Sequence, residues 1–171
     1  TRNLTMVVER DYASDHELGF AQDPVNLAEK SLVNMYLHHD GYPEWQGVQI
    51  ANWLKANENI CGDSSKLAAK LVHDMWYDSC YLYSHPENID HQYTYVIWTG
   101  DAMDIWISCY CQYSNKCIFV LKPSKIKEKY VNKEEPMEYT NWAEGETRST
   151  QSSKDNITWH AKEIIKHCNT K

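Results

Sequence analysis

Two alternating apolar runs, residues 93–99 and 102–112, flank the dipeptide Gly100-Asp101. Such runs around a two-residue turn with Gly first predict a β-hairpin with a type II′ turn. The turn would set a register, with Trp98 opposite Met103, Val96 opposite Ile105 and Thr94 opposite Ile107. Those pairs make an apolar face expected to lie under helices. The reverse face then carries Tyr93, Tyr95, Trp106 and Tyr110, which reads as an aromatic surface open to solvent or to a partner. The chain has 12 Tyr and 7 Trp against 2 Phe. Side chains with an apolar body and a polar edge suit a half-wet contact face, and suit a thin core equally.

Earlier in the chain, residues 4–9 (LTMVVE) alternate as a first strand, with Leu4, Met6 and Val8 on one side. Residues 10–22 are polar and read as a loop. Asp23-Pro24 begins a short helix to Lys30, with Pro at its first position. Residues 32–39 form the second strand, and residues 47–56 a short amphipathic helix. Asp63 or Ser64 caps a longer helix over residues 65–79, where Leu67, Ala68, Leu71, Val72 and Met75 repeat at helical steps. After the hairpin, a turn at residues 113–116 leads to a strand over residues 117–122. A two-residue loop there pairs Cys111 with Ile118, and a three-residue loop shifts that pairing by one. From Ser124 the chain turns charged and then Ser/Thr-rich, the composition of an extended linker. Ser152 or Ser153 caps a last helix over residues 155–168, with Ile157, Ala161, Ile164 and Ile165 as its apolar stripe.

The expected fold is therefore α+β: an antiparallel sheet of about five strands, two helices on one face, and a C-terminal tail helix. Residues 1–123 form the α+β domain, and residues 124–171 a charged linker with the terminal helix.

Composition narrows the function classes. Hydrophobic residues make up 42% and charged residues 24%, as in ordinary globular proteins. The net charge of −7 argues against extended nucleic acid as a partner, which needs clustered Lys and Arg. No run of about 18 apolar residues is present, so no membrane span is expected. The first residues do not read as a signal peptide, so a cytoplasmic location and reduced thiols are expected for the six cysteines.

The residues best placed for chemistry follow the second strand: His38, His39, Asp40, Gly41, Tyr42 and Pro43. A neutral imidazole beside a carboxylate can act as a base or ligate a metal. His38 and Asp40 supply only two ligands, no zinc spacing completes them, and no metal or cofactor is expected. The structural alternative is a turn, with Asp40 accepting hydrogen bonds from the helix that follows. Arg2, at the mouth of the first strand, would reach Asp40 or Glu44, as a salt bridge or as part of an anion site. Cys109-x-Cys111 with Cys117 resembles half a zinc pattern, but on a strand both thiols point into the core. Thr1 stands directly before a strand, as the nucleophile does in N-terminal-nucleophile amidohydrolases, where the free α-amine is the base.

Thr1-Arg2-Asn3-Leu4, followed by His38-x-Asp40-Gly41-Tyr42-Pro43-x-x-x-Gly47, resembles small proteins of phages, bacteria and fungi. Their pattern is Thr-Arg-x-Leu near the start and His-x-Asp-Gly-Tyr-Pro-x-x-x-Gly later. The resemblance covers roughly residues 1–110. The acidic charge, the Tyr/Trp face and the missing catalytic signature lead to the expectation of a small acidic cytosolic binding protein. Analogy with phage proteins, which often carry partner-binding surfaces in insertions and tails, makes it a phage-encoded accessory factor that inhibits or sequesters a host protein. The alternative is an enzyme or small-ligand protein with a pocket at Arg2, His38, Asp40 and Tyr42, taking a small anionic ligand or using Thr1 as an amidohydrolase.

Overall fold

A computed structural model describes residues 1–8, 24–99, 104–131 and 150–168 of the chain. The polar stretch after the first strand, the Gly100-Asp101 turn and the Ser/Thr-rich stretch at residues 145–149 lie outside the described residues.

The sheet has six strands: β1 (Asn3–Val8), β2 (Ser31–Leu37), β3 (Cys80–Leu82), β4 (Tyr93–Thr99), β5 (Ile105–Cys111) and β6 (Lys116–Leu121), in the order β3-β2-β1-β4-β5-β6. Five helices accompany it: α1 (Pro24–Glu29), α2 (Val48–Ala56), α3 (Ser64–Met75), α4 (Pro123–Tyr130) and α5 (Thr150–Cys168). The expected α+β class holds, but the sheet is mixed rather than antiparallel. β1 runs antiparallel to β2 and parallel to β4. A parallel pair needs a long crossover, and here the whole segment from β2 through α3 and β3 supplies it. β1 thus lies at the centre, and all six of its residues are buried. Strands covered on both faces tend to be apolar throughout; β1 departs from this at buried Asn3 and Thr5, where the Thr5 hydroxyl donates to Asn3 Oδ1 at 3.0 Å.

Helices cover both faces, which corrects the expectation of two helices on one. On one side Met35, Tyr95 and Ile107 pack with Leu54 of α2, Leu71 of α3 and Ile126 of α4. On the other, Leu4, Met6 and Trp98 pack with Leu27 of α1 and with Ile157, Ala161 and Ile164 of α5. Ile157, Ala161 and Ile164 of the apolar stripe expected for the last helix therefore dock. That helix begins at Thr150, earlier than expected. The charged stretch after Ser124 also differs from expectation. Residues Pro123–Tyr130 are helical, because Pro123 suits the first turn and Ile126 anchors the segment in the core.

The hairpin register is corrected as well. Trp98 pairs with Trp106, Val96 with Ser108 and Thr94 with Tyr110. Residues 100–104 separate the paired Thr99 and Ile105, so the connection is longer than two residues. Moving the partner of Trp98 from 103 to 106 is an odd displacement, and an odd displacement swaps the faces. At the next turn Cys111 pairs with Lys116, across a connection longer than either expected loop, with a bulge between Cys109 and Tyr110.

α3 starts as expected. The Asp63 side chain accepts a hydrogen bond from the Lys66 amide at 3.1 Å. It ends at Met75, where Trp76 turns extended and sends the chain towards β3.

Candidate functional site

The motif after β2 is first a structural stop. Asp40 adopts φ 54, in the left-handed region. The Gly41 amide then donates to the Thr1 carbonyl at 2.9 Å. A Cβ on Gly41 would sit 2.8 Å from that same oxygen and 2.8 Å from Asn3 Cβ, so only glycine fits. The Tyr95 phenol donates to the Gly41 carbonyl at 2.7 Å. The Tyr42 carbonyl accepts from the amides of Trp45 and Gln46, opening the helical turn that continues into α2.

This stop divides the four expected pocket residues. Arg2 and His38 line one shallow cleft of about 410 Å³, together with Tyr36, Tyr81, Tyr83 and Asp90. Asp40 and Tyr42 are not part of its lining. Tyr42 packs against the opposite core, under the helices. Asp40 is exposed, and its charge helps raise the Tyr77 phenol, which burial raises more. A left-handed residue breaks the strand alternation, which is why Asp40 leaves the side of Tyr36 and His38.

Arg2 does not meet Asp40 or Glu44. Its Nη1 lies 2.6 Å from Asp90 Oδ2, and Tyr113 donates to the other Asp90 oxygen at 3.1 Å. His38 Nδ1 shares a 2.8 Å hydrogen bond with the Tyr36 hydroxyl. Burial, then the neighbouring His39 and Arg2, push the His38 imidazole below its ordinary value, so it is neutral at neutral pH.

The aromatic face expected to be open is not a single face. Tyr93 and Tyr95 are buried in the core under α2, α3 and α4. Trp106 and Tyr110 lie on the other side. Trp106 stacks on Trp98 at 5.6 Å, and Tyr110 meets Trp159 of α5 at 5.3 Å. The Tyr110 hydroxyl donates to Asn115 Oδ1. The exposed aromatics are elsewhere. Trp45 (54% exposed) and Trp76 (64%) flank helices, while Tyr81 (55%), Leu82 (58%) and Tyr83 (45%) lie on and just after β3, the edge strand, with Tyr81 and Tyr83 on one side and Leu82 on the other. The sequence signal was the density of large apolar residues between 76 and 83. A three-residue strand gave no alternation to read.

Under α5 lies a buried polar network. His91 Nε2 and the Asn156 amide each lie 2.5 Å from Thr94 Oγ1, and Asn156 also reaches Gln112 at 3.2 Å. Ser108 Oγ lies 2.6 Å from His160 Nδ1. Burial lowers both imidazoles, His91 to about 4 and His160 to about 3. This network was not legible in the sequence, because His91, Thr94 and Ser108 are far along the chain from Asn156 and His160 and meet them only through the docking of α5.

Cys109 and Cys111 are buried free thiols, and burial raises the Cys109 thiol. Among the described residues no group of three His, Cys, Asp or Glu side chains is arranged to hold a metal ion. A second cleft of about 430 Å³ lies between α2 and α4. Lys55, Lys122 and Lys127 balance Glu58, Asp104 and Glu128 around it, so its lining favours neither sign of charge. No helix among the described residues is long and apolar enough to cross a membrane. Comparisons with protein-family models, with curated proteins and with solved structures return no match.

Proposed function

We propose that this chain is a binding protein whose contact surface is the β3 edge. The observation that carries the reading is the exposed pair Tyr81 and Tyr83 on one side of an edge strand, with exposed Leu82 between them on the other. Large apolar side chains grouped on a surface mark interaction sites, and aromatics dominate binding energy at interfaces. An edge strand adds main-chain donors and acceptors that a partner strand can complete. The net charge of −7 favours a partner with a basic surface. In this reading the partner is a protein of a host cell, sequestered or inhibited by a phage-type accessory factor, by analogy with the partner-binding surfaces of phage proteins.

Affinity capture with the whole chain tests it, run in parallel with a Tyr81→Ser, Leu82→Ser, Tyr83→Ser triple variant. A stoichiometric partner held by the wild type and lost by the variant is the expected result. A partner held equally by both, with folding unchanged, refutes the assignment of the surface.

A second reading keeps a small-ligand or catalytic pocket, because Arg2 and His38 share one cleft and His38 is held neutral. Activity that survives His38→Ala in a folded protein removes it.

A further inference from the structure

The cleft at the β3 edge has a chemistry of its own. Tyr36 and Tyr81 are direct cross-strand partners. Side chains on directly opposed positions share one face of a sheet and stand close together. Their ring centroids are 6.1 Å apart, with planes at 50°. Tyr83, two residues beyond Tyr81, returns to the same side and meets Tyr36 at 6.2 Å and 89°. Three phenol rings therefore form a corner with Tyr36 buried at its base and the other two half-open at its rim. The faces of aromatic rings carry negative potential, and rings set at an angle around a recess are the geometry that holds organic cations.

The charges around the corner point the same way. Arg2 is engaged with Asp90 at 2.6 Å, so its charge is offset by a carboxylate in the same lining, although it still helps lower the His38 imidazole. Glu87 adds a carboxylate to the lining with no ion-pair partner among the described residues. His38 contributes a neutral ring hydrogen-bonded to Tyr36. The sum is a π-walled recess with a net negative rim, on a chain of charge −7. This differs from the expectation of a small anionic ligand, in which Arg2 was read either as a salt bridge or as part of an anion site.

The geometry points to an alkylammonium group as the occupant of the Tyr36–Tyr81–Tyr83 corner, an inference that rests on the β3 edge being the contact surface. The group belongs either to a lysine or methylated lysine of a partner or to a free quaternary amine. The two sources share the chemistry, and experiment separates them.

The test uses the isotopically labelled whole chain, titrated with choline and with its neutral carbon isostere 3,3-dimethylbutan-1-ol, and followed by NMR. Choline is expected to shift the Tyr81 and Tyr83 ring signals saturably, and to bind roughly three- to thirtyfold tighter than the isostere. Equal binding of the two, or no saturable shift with choline, overturns the inference. Tyr83→Phe should keep the binding, and Tyr83→Leu, which retains apolar bulk without a π face, should lose it. Tyr83 is exposed, so folding is not at stake, and wild-type affinity in Tyr83→Leu also overturns the inference. A peptide bearing trimethyllysine that binds tighter than choline identifies a partner side chain as the source, whereas equal affinity identifies a free amine. Capture of a partner that depends on the β3 edge, combined with no choline binding, leaves the contact surface standing and removes the cation site alone.

Discussion

The phenol of Tyr95, at the middle of β4, donates to the carbonyl of Gly41 at 2.7 Å. Tyr95 is fully buried, so this bond ties the strand at the centre of the hairpin to the stop that follows β2. Tyr95→Phe keeps the ring and deletes the donor, leaving a buried carbonyl short of a partner. The expected cost is about 1–3 kcal/mol, read as a lower urea midpoint with an unchanged slope.

The stop itself makes opposite demands on two adjacent residues. Gly41 has no room for a side chain, because an added Cβ would meet the Thr1 carbonyl and Asn3 Cβ at 2.8 Å each. Gly41→Ala should destabilise the fold by about 1–3 kcal/mol. Asp40 at φ 54 is exposed. Asp40→Gly should be neutral or mildly stabilising, whereas Asp40→Val should cost about 1–2 kcal/mol. Urea denaturation of the three variants checks both halves.

Acid should weaken the packing of α5. The folded values of His91 and His160 are lowered to about 4 and about 3, against roughly 6.5 in the unfolded chain. A lowered imidazole value means that folding holds the neutral form. The stabilisation is complete above about pH 6.5 and drains away as the pH falls towards 4 and then 3. Each histidine adds a slope of up to about 1.4 kcal/mol per pH unit in that window. Carboxylates also titrate there, so the measurement compares wild type with His160→Gln. The variant's stability should depend less steeply on pH between 6.5 and 4.5. Identical slopes would show that His160 does not set the acid sensitivity.

At the start of α3, Asp63 accepts from the Lys66 amide at 3.1 Å. Asp63→Ala should lower stability by about 0.5–2 kcal/mol, and Asp63→Asn by much less. Thermal unfolding of the two variants side by side distinguishes loss of the cap from loss of charge.

Periodicity made much of this fold legible. β1, β2, α2, α3 with its Asp63 cap, and the apolar stripe of α5 all repeat long enough to be read from one sequence. The rest depended on information that is not local. That β1 lies beside β4, and parallel to it, cannot be read from alternation, which orders side chains within a strand but says nothing of neighbours. The β4–β5 register depended on the length of one connection, and an odd displacement put Trp106 and Tyr110 on the face opposite Tyr93 and Tyr95, while helices covered both faces. α4 buries one residue, Ile126, among lysines and glutamates, too faint a pattern to outweigh its charge. At the candidate site, His38 and Arg2 were visible as residues at strand ends. The ion pair with Asp90 was not, because its partner lies across the sheet, and the left-handed turn at Asp40 undid the grouping that alternation suggested.

The position of β1 also bears on how the chain is made. β1 is synthesised before the other five strands of the sheet, and β2 can pair with one of its edges soon afterwards. Its second neighbour, β4, leaves the ribosome only after α2, α3 and β3 have emerged. Until then the nascent hairpin exposes an open strand edge and bare Met and Val side chains. That interval is when the growing polypeptide is most exposed to capture by chaperones or to association with its own copies.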